Sequence, residues 1–201
     1  MAGLHPTVPN PAMALAGWCP LSLAGAQTTQ LLVEPPWRPA VLWDRVTLTC
    51  QDSGTAGDTT WYKDGQRWRQ EGGNNFTVTE SGTYTCERPE SGCSPPVNVS
   101  DDQVVLQVPA RALLEGETLT LRCRYRQEKL ATLVFYREET ELGRLYNGTE
   151  LSLSPLQLNH SGRYNCKAWV NNGVSQGWEE SVPVTVTVHG EHLTAATLAA
   201  P

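Results

Sequence analysis

The sequence predicts an all-β chain built as two tandem sandwich domains. Three observations predict it. One cysteine-centred unit occurs twice in the same order, the apolar pattern alternates with period two, and Gly, Pro, Asn and Ser cut the chain into short segments. A length of 201 residues suits two domains of about a hundred residues each.

The first copy reads DRVTLTC (Asp44 to Cys50), TTWYKDG (Thr59 to Gly65) and ESGTYTC (Glu80 to Cys86). The second reads GETLTLRC (Gly116 to Cys123), TLVFYREE (Thr132 to Glu139) and HSGRYNC (His160 to Cys166). Val46, Leu48 and Cys50 alternate with polar residues, as do Leu119, Leu121 and Cys123. Such strands turn one face to a core and the other to water. Trp61 follows Cys50 by eleven residues and Phe135 follows Cys123 by twelve, placing an aromatic ring against each inter-sheet bridge. Tyr84 and Tyr164 each precede the second cysteine by two, the tyrosine-corner position. Together these features specify two immunoglobulin-like (C2-type) β-sandwiches. VPVTVTVHG (Val182 to Gly190) is expected to close the second unit, and DQVVLQV (Asp102 to Val108) to close the first and become the linker.

The expected divisions are a signal peptide over 1–26, domain one over 27–108, domain two over 109–189 and a tail over 190–201. The first 26 residues carry no Asp, Glu, Lys or Arg, and the apolar run AMALAGWCPLSLAGA ends in an A-x-A pattern at Ala24 to Ala26. Met1 and Met13 are both possible initiators. Cys19 would leave with the leader. Of the remaining cysteines, Cys50 and Cys86 are 36 residues apart, and Cys123 and Cys166 are 43 apart. Neither has zinc-site spacing, and both span what joins two sheets, so the expected disulfides are Cys50–Cys86 and Cys123–Cys166. Cys93 is left over, free or reserved for a disulfide-linked partner. Four N-x-S/T sequons, at Asn75, Asn98, Asn147 and Asn159, fit a glycosylated extracellular surface.

A net charge of −6 argues against nucleic acid, because no basic stripe is there to neutralise phosphates. With four His and no nucleophile–base, metal-ligand or phosphate-loop motif, the chain is not expected to be an enzyme or to carry a cofactor or metal. No apolar run of membrane-spanning length occurs in the mature part, and the tail GEHLTAATLAAP is too short and polar for a lipid-anchor signal. The expected product is secreted, or lies outside the plasma membrane if a longer anchored form exists.

VEPPW (Val33 to Trp37), DRVTLTCQ, SPPV (Ser94 to Val97), VVLQVP (Val104 to Pro109), LTLRCR (Leu119 to Arg124) and LVFYREETELG (Leu133 to Gly143) closely resemble the two-domain leukocyte Fc receptors for immunoglobulin G and their Fc-receptor-like relatives. The resemblance runs over residues 30 to 189. It implies a receptor that signals at the immune cell surface and binds immunoglobulin Fc through the BC, C′E and FG loops of its second domain. Those loops correspond to Arg126, Gln127, Glu128, Lys129 and Leu130; to Tyr146 with Asn147; and to Trp169, Val170, Asn171 and Asn172. The family also clamps an Fc proline between two tryptophans. Gln103 and Arg126 occupy those positions here, so that clamp cannot form as in the family, although Tyr125 is a neighbour. An alternative stays open: an adhesion or decoy module for another surface protein, MHC-like or a glycoprotein. Trp169 is either an exposed anchor at a loop tip or packed on its own strands, while Trp178 and Trp37 read as structural.

Overall fold

A computed structural model describes residues 29–51, 58–71, 73–89, 91–126, 132–171 and 176–190; the side chains of 69–71 and 171 are left aside. The expected leader, Cys19 and the tail lie outside the described residues. The first domain contains β1 (Gln30–Glu34), β2 (Trp37–Arg38), β3 (Ala40–Val41), β4 (Thr47–Gln51), β5 (Thr59–Lys63), β6 (Gln66–Glu71), β7 (Asn75–Thr77), β8 (Gly82–Arg88), β9 (Gly92–Cys93) and β10 (Val97–Ser100). The second contains β11 (Val104–Pro109), β12 (Leu113–Leu114), β13 (Leu119–Tyr125), β14 (Thr132–Arg137), β15 (Thr140–Leu145), β16 (Glu150–Leu153), β17 (Gly162–Asn171), β18 (Gln176–Glu180), β19 (Val184–Val186) and β20 (Val188–His189).

Domain one packs the sheet β1-β4-β7 on the sheet β3-β10-β8-β5-β6. Domain two packs β16-β13-β11 on β15-β14-β17-β18, with β19 joining β17. The period-two alternation does what it implies. Leu48 and Cys50, and Leu119, Leu121 and Cys123, are buried while their neighbours reach the surface. Each core closes around a disulfide, Cys50–Cys86 in one and Cys123–Cys166 in the other. Trp61 and Phe135 lie in these two cores, Trp61 with its ring edge-on to Phe76 at 4.7 Å. The tyrosine corner appears twice: the Tyr84 hydroxyl donates to the Glu80 carbonyl at 2.7 Å, and Tyr164 to His160 at 2.6 Å. A fully buried phenol keeps its polar end satisfied this way.

Two expectations are corrected. Val104–Pro109 does not close the first domain; β10 does, pairing with β8, while β11 pairs with β13 and opens the second. An apolar run identifies a strand but not its sheet, and β11 is buried on both sides. Val104, Leu106 and Val108 enter the second core, while Gln107 turns to domain one and donates to the Pro39 carbonyl at 2.8 Å. Cys93 is not left over for a partner. It is disulfide-bonded within the chain, and none of the described cysteines is free.

The domains are joined by backbone and by charge. Strand β2 pairs with β11, and Arg122 stacks over Trp37 at 5.3 Å, which places Trp37 at the junction. Arg124 grips Asp44 with both guanidinium nitrogens, each at 2.9 Å, and both side chains are about four-fifths buried. A fork of this kind holds orientation as well as contributing energy. Asp44→Ala therefore leaves a poorly solvated guanidinium at the junction and costs about 2 kcal/mol. Small-angle scattering is expected to show a larger radius of gyration for that variant, and an unchanged profile would show that the fork does not set the domain angle.

Candidate functional site

On β17, Cys166, Ala168 and Val170 face the core, so Lys167 and Trp169 must face outward. The register then sets Trp169 opposite Trp178 and Lys167 opposite Glu180 on β18. The two indole rings meet edge to face at 5.4 Å, yet Trp169 stays 39% and Trp178 46% exposed. Arg144, reaching over from β15, places its guanidinium 6.0 Å from the Trp178 ring. Val134 lies on the same outward face of β14, in register with Arg144 and Lys167, and is only 1% exposed. The result is a small apolar platform roofed by half-exposed aromatics.

Charge surrounds it. The Lys167 ammonium pairs with Glu180 at 3.2 Å and lies 5.2 Å from the Tyr136 ring centroid, and Asn165 hydrogen-bonds Glu180. Arg144 pairs with Glu141, and that hydrogen bond raises its pKa above the ordinary arginine value. Arg144 is thus cationic at every physiological pH. An aromatic centre inside a charged rim is the usual composition of a protein-binding patch.

The structure places the expected loop residues unevenly. Trp169 lies on strand β17 rather than at a loop tip, held by Trp178 and still presented to solvent. Val170 is in the core at 4% exposure and offers no contact surface. Asn171 ends β17 opposite Gln176, close to the Trp pair. Tyr146 is 68% exposed in the turn between β15 and β16, followed by the sequon residue Asn147. Gln127, Glu128, Lys129, Leu130 and Asn172 lie outside the described residues. The strand ends leading to all three loops are at one end of domain two, the end where β11 begins. Trp178, Arg144, Tyr136, Lys167 and Glu180 were not among the expected site residues. Alternation counted outward from Cys166 would have added Lys167 beside the expected Trp169, and hairpin pairing would have added Trp178.

Comparison with known proteins agrees with this architecture. The immunoglobulin domain family matches residues 103–188. The "Low affinity immunoglobulin gamma Fc region receptor II" of Mus musculus is 34% identical over 167 residues, 79% of this chain and 49% of that protein. The receptor of the same name from Bos taurus is 32% identical over 165 residues, 78% of this chain and 54% of that protein. "Fc receptor-like protein 4" of Homo sapiens is 34% identical over 162 residues, 77% of this chain and 31% of that protein. The chain belongs to the Fc receptor and Fc-receptor-like family. It spans about half the length of the gamma Fc receptors it matches. It is accordingly a receptor-type immunoglobulin-domain module and not an enzyme. Among the described residues, no helix is long and apolar enough to cross a membrane.

Within this Fc-receptor-like module, the two positions that hold tryptophan in the family's clamp are adjacent. The Arg126 amide donates to the Gln103 carbonyl at 2.9 Å. Arg126 is already engaged: its guanidinium lies 5.8 Å from the Trp43 ring and pairs with Asp101 at 3.2 Å. Tyr125 neighbours both positions. It packs against the second core, where burial first and then the charge of Glu179 push its phenol pKa up.

Proposed function

We propose that this chain is the ligand-binding part of an extracellular or cell-surface immune receptor, and that its second domain binds the Fc region of an IgG-like immunoglobulin. The observation that carries this reading is the half-exposed Trp169–Trp178 pair, set beside the end of the domain to which the strands flanking the three loops run. Aromatic anchors in a patch that excludes water dominate protein interfaces. The names of the gamma Fc receptors among its relatives supply the partner class. Surface plasmon resonance of the glycosylated chain against a panel of immunoglobulin Fc fragments tests it. Binding to at least one Fc is expected, and binding to none refutes it.

One observation favours a second reading, an adhesion or decoy module for another surface protein, MHC-like or a glycoprotein. A cation held between Trp43 and Asp101 stands where the family's clamp needs an aromatic slot. The double substitution Gln103→Trp with Arg126→Trp separates the two readings. The exposed Asp101 returns to water at little cost, and the two indoles rebuild the slot. Under the Fc reading this variant binds more tightly than wild type, by roughly tenfold for each 1.4 kcal/mol regained. If neither wild type nor the double variant binds any Fc, the second reading replaces the first.

A further inference from the structure

Between the domains, on the side formed by β10 and the segment leading into β19, lies a cleft of about 520 Å³. Its apolar surface comes from Pro96, Val104, Val182 and Pro183; Val182 is 67% exposed, an unusual position for a valine. Arg38, Ser81 and Asp102 add polar groups. Asn98, the asparagine of the sequon Asn98-Val99-Ser100, lines the same cleft. Val97 and Val99 on either side of it are buried, so Asn98 must point outward, and its exposed side chain makes no hydrogen bond among the described residues.

We propose that an N-linked glycan on Asn98 occupies this cleft and bridges the two domains. The first sugar is bonded directly to the asparagine nitrogen, so it has nowhere to lie but in the space Asn98 faces. A pyranose ring is amphipathic: its C–H faces suit Val104, Val182 and Pro183, and its hydroxyl and acetamide groups suit Arg38, Ser81 and Asp102. An apolar cavity with a few convergent polar groups is the usual form of a small-ligand site, and this volume lies within that range. Here the ligand is tethered, so it loses no further translational freedom on seating. The seated glycan touches β10 and β11 in one domain each and the approach to β19. It therefore opposes the same opening that the Asp44–Arg124 fork opposes from elsewhere on the junction. This inference concerns the domain junction and holds whichever ligand the second domain takes.

The test is native deglycosylation of the full chain, secreted from mammalian cells, with a peptide-N-glycanase and site-resolved mass spectrometry. A glycan seated nine-tenths of the time exposes its linkage for only a tenth of it, so release slows about tenfold. Asn98 is expected to be occupied and to lose its glycan about tenfold more slowly than whichever of Asn75, Asn147 and Asn159 carry one. Val182→Asp puts a charge on the cleft wall at a site exposed enough to leave the fold intact. It is expected to speed release at Asn98 severalfold and to leave the other sites unchanged. An unmodified Asn98, release there as fast as elsewhere, or no response to Val182→Asp would each overturn the proposal.

Discussion

Removing the second disulfide, as Cys123→Ala with Cys166→Ala, lowers the stability of domain two by about 4 kcal/mol, on the loop-entropy argument for a closed loop of 43 residues. Both cysteines are completely buried between Phe135 and Tyr164 in one core, so the substitution also removes sulfur packing at the point where the two sheets meet. For a domain of this size, such a loss lowers the melting temperature by roughly 15–30 °C. The effect should stay local. Cys50–Cys86 sits in a separate core with Trp61 and Tyr84, and among the described residues the domains meet through the β2–β11 ladder, the Arg122–Trp37 contact and the polar junction. Calorimetry of the variant is expected to resolve an early transition from domain two and a later one from domain one. A single transition shifted by only a few degrees would show that the domains unfold as one unit, or that the bridge stabilises less than loop entropy implies.

How much of this was legible in the sequence depends on whether the signal was local. Tyr-x-Cys and the cysteine–aromatic spacing are local, and they place Tyr84, Tyr164, Trp61 and Phe135 because each is tied to its own bridge through neighbouring strands. The assignment of β11 is not local. Val104 to Val108 alternates between two partners, one core behind it and a second domain in front, and nothing within five residues says which pairing closes first. Cys93 is a similar case, since counting cysteines gives their number and not which of them are bonded. Trp169 was drawn toward a loop by the turn-forming Asn171-Asn172-Gly173 that follows it. Strand β17 nevertheless continues past Trp169, because Ala168 and Val170 still have core to fill. The platform around the Trp pair needed four strands in register, and Arg144 enters it only through β15, far from Trp169 in sequence.

Trp169→Ala is expected to weaken Fc binding at least roughly thirtyfold, since losing a central aromatic anchor costs about 2 kcal/mol or more and 1.4 kcal/mol is tenfold. The structure adds a second expectation. Trp169 and Trp178 pack edge to face, so removing either lets the other swing toward the space left behind. Trp178→Ala should therefore weaken binding nearly as much as Trp169→Ala, and the double variant should lose less than the two single effects combined. Both rings are more than a third exposed on a sheet face, and the core beneath is sealed by Val134, Ala168 and Val170, so folding should be little affected. Circular dichroism melting checks that. Surface plasmon resonance against the immunoglobulin Fc that wild type binds measures the rest, with Leu32→Ala as a control, an exposed leucine on the far domain. If Trp169→Ala binds that Fc as well as wild type with its melting curve unchanged, the contact surface is not this face. If the two single effects simply add, the rings act as separate contacts rather than as one platform.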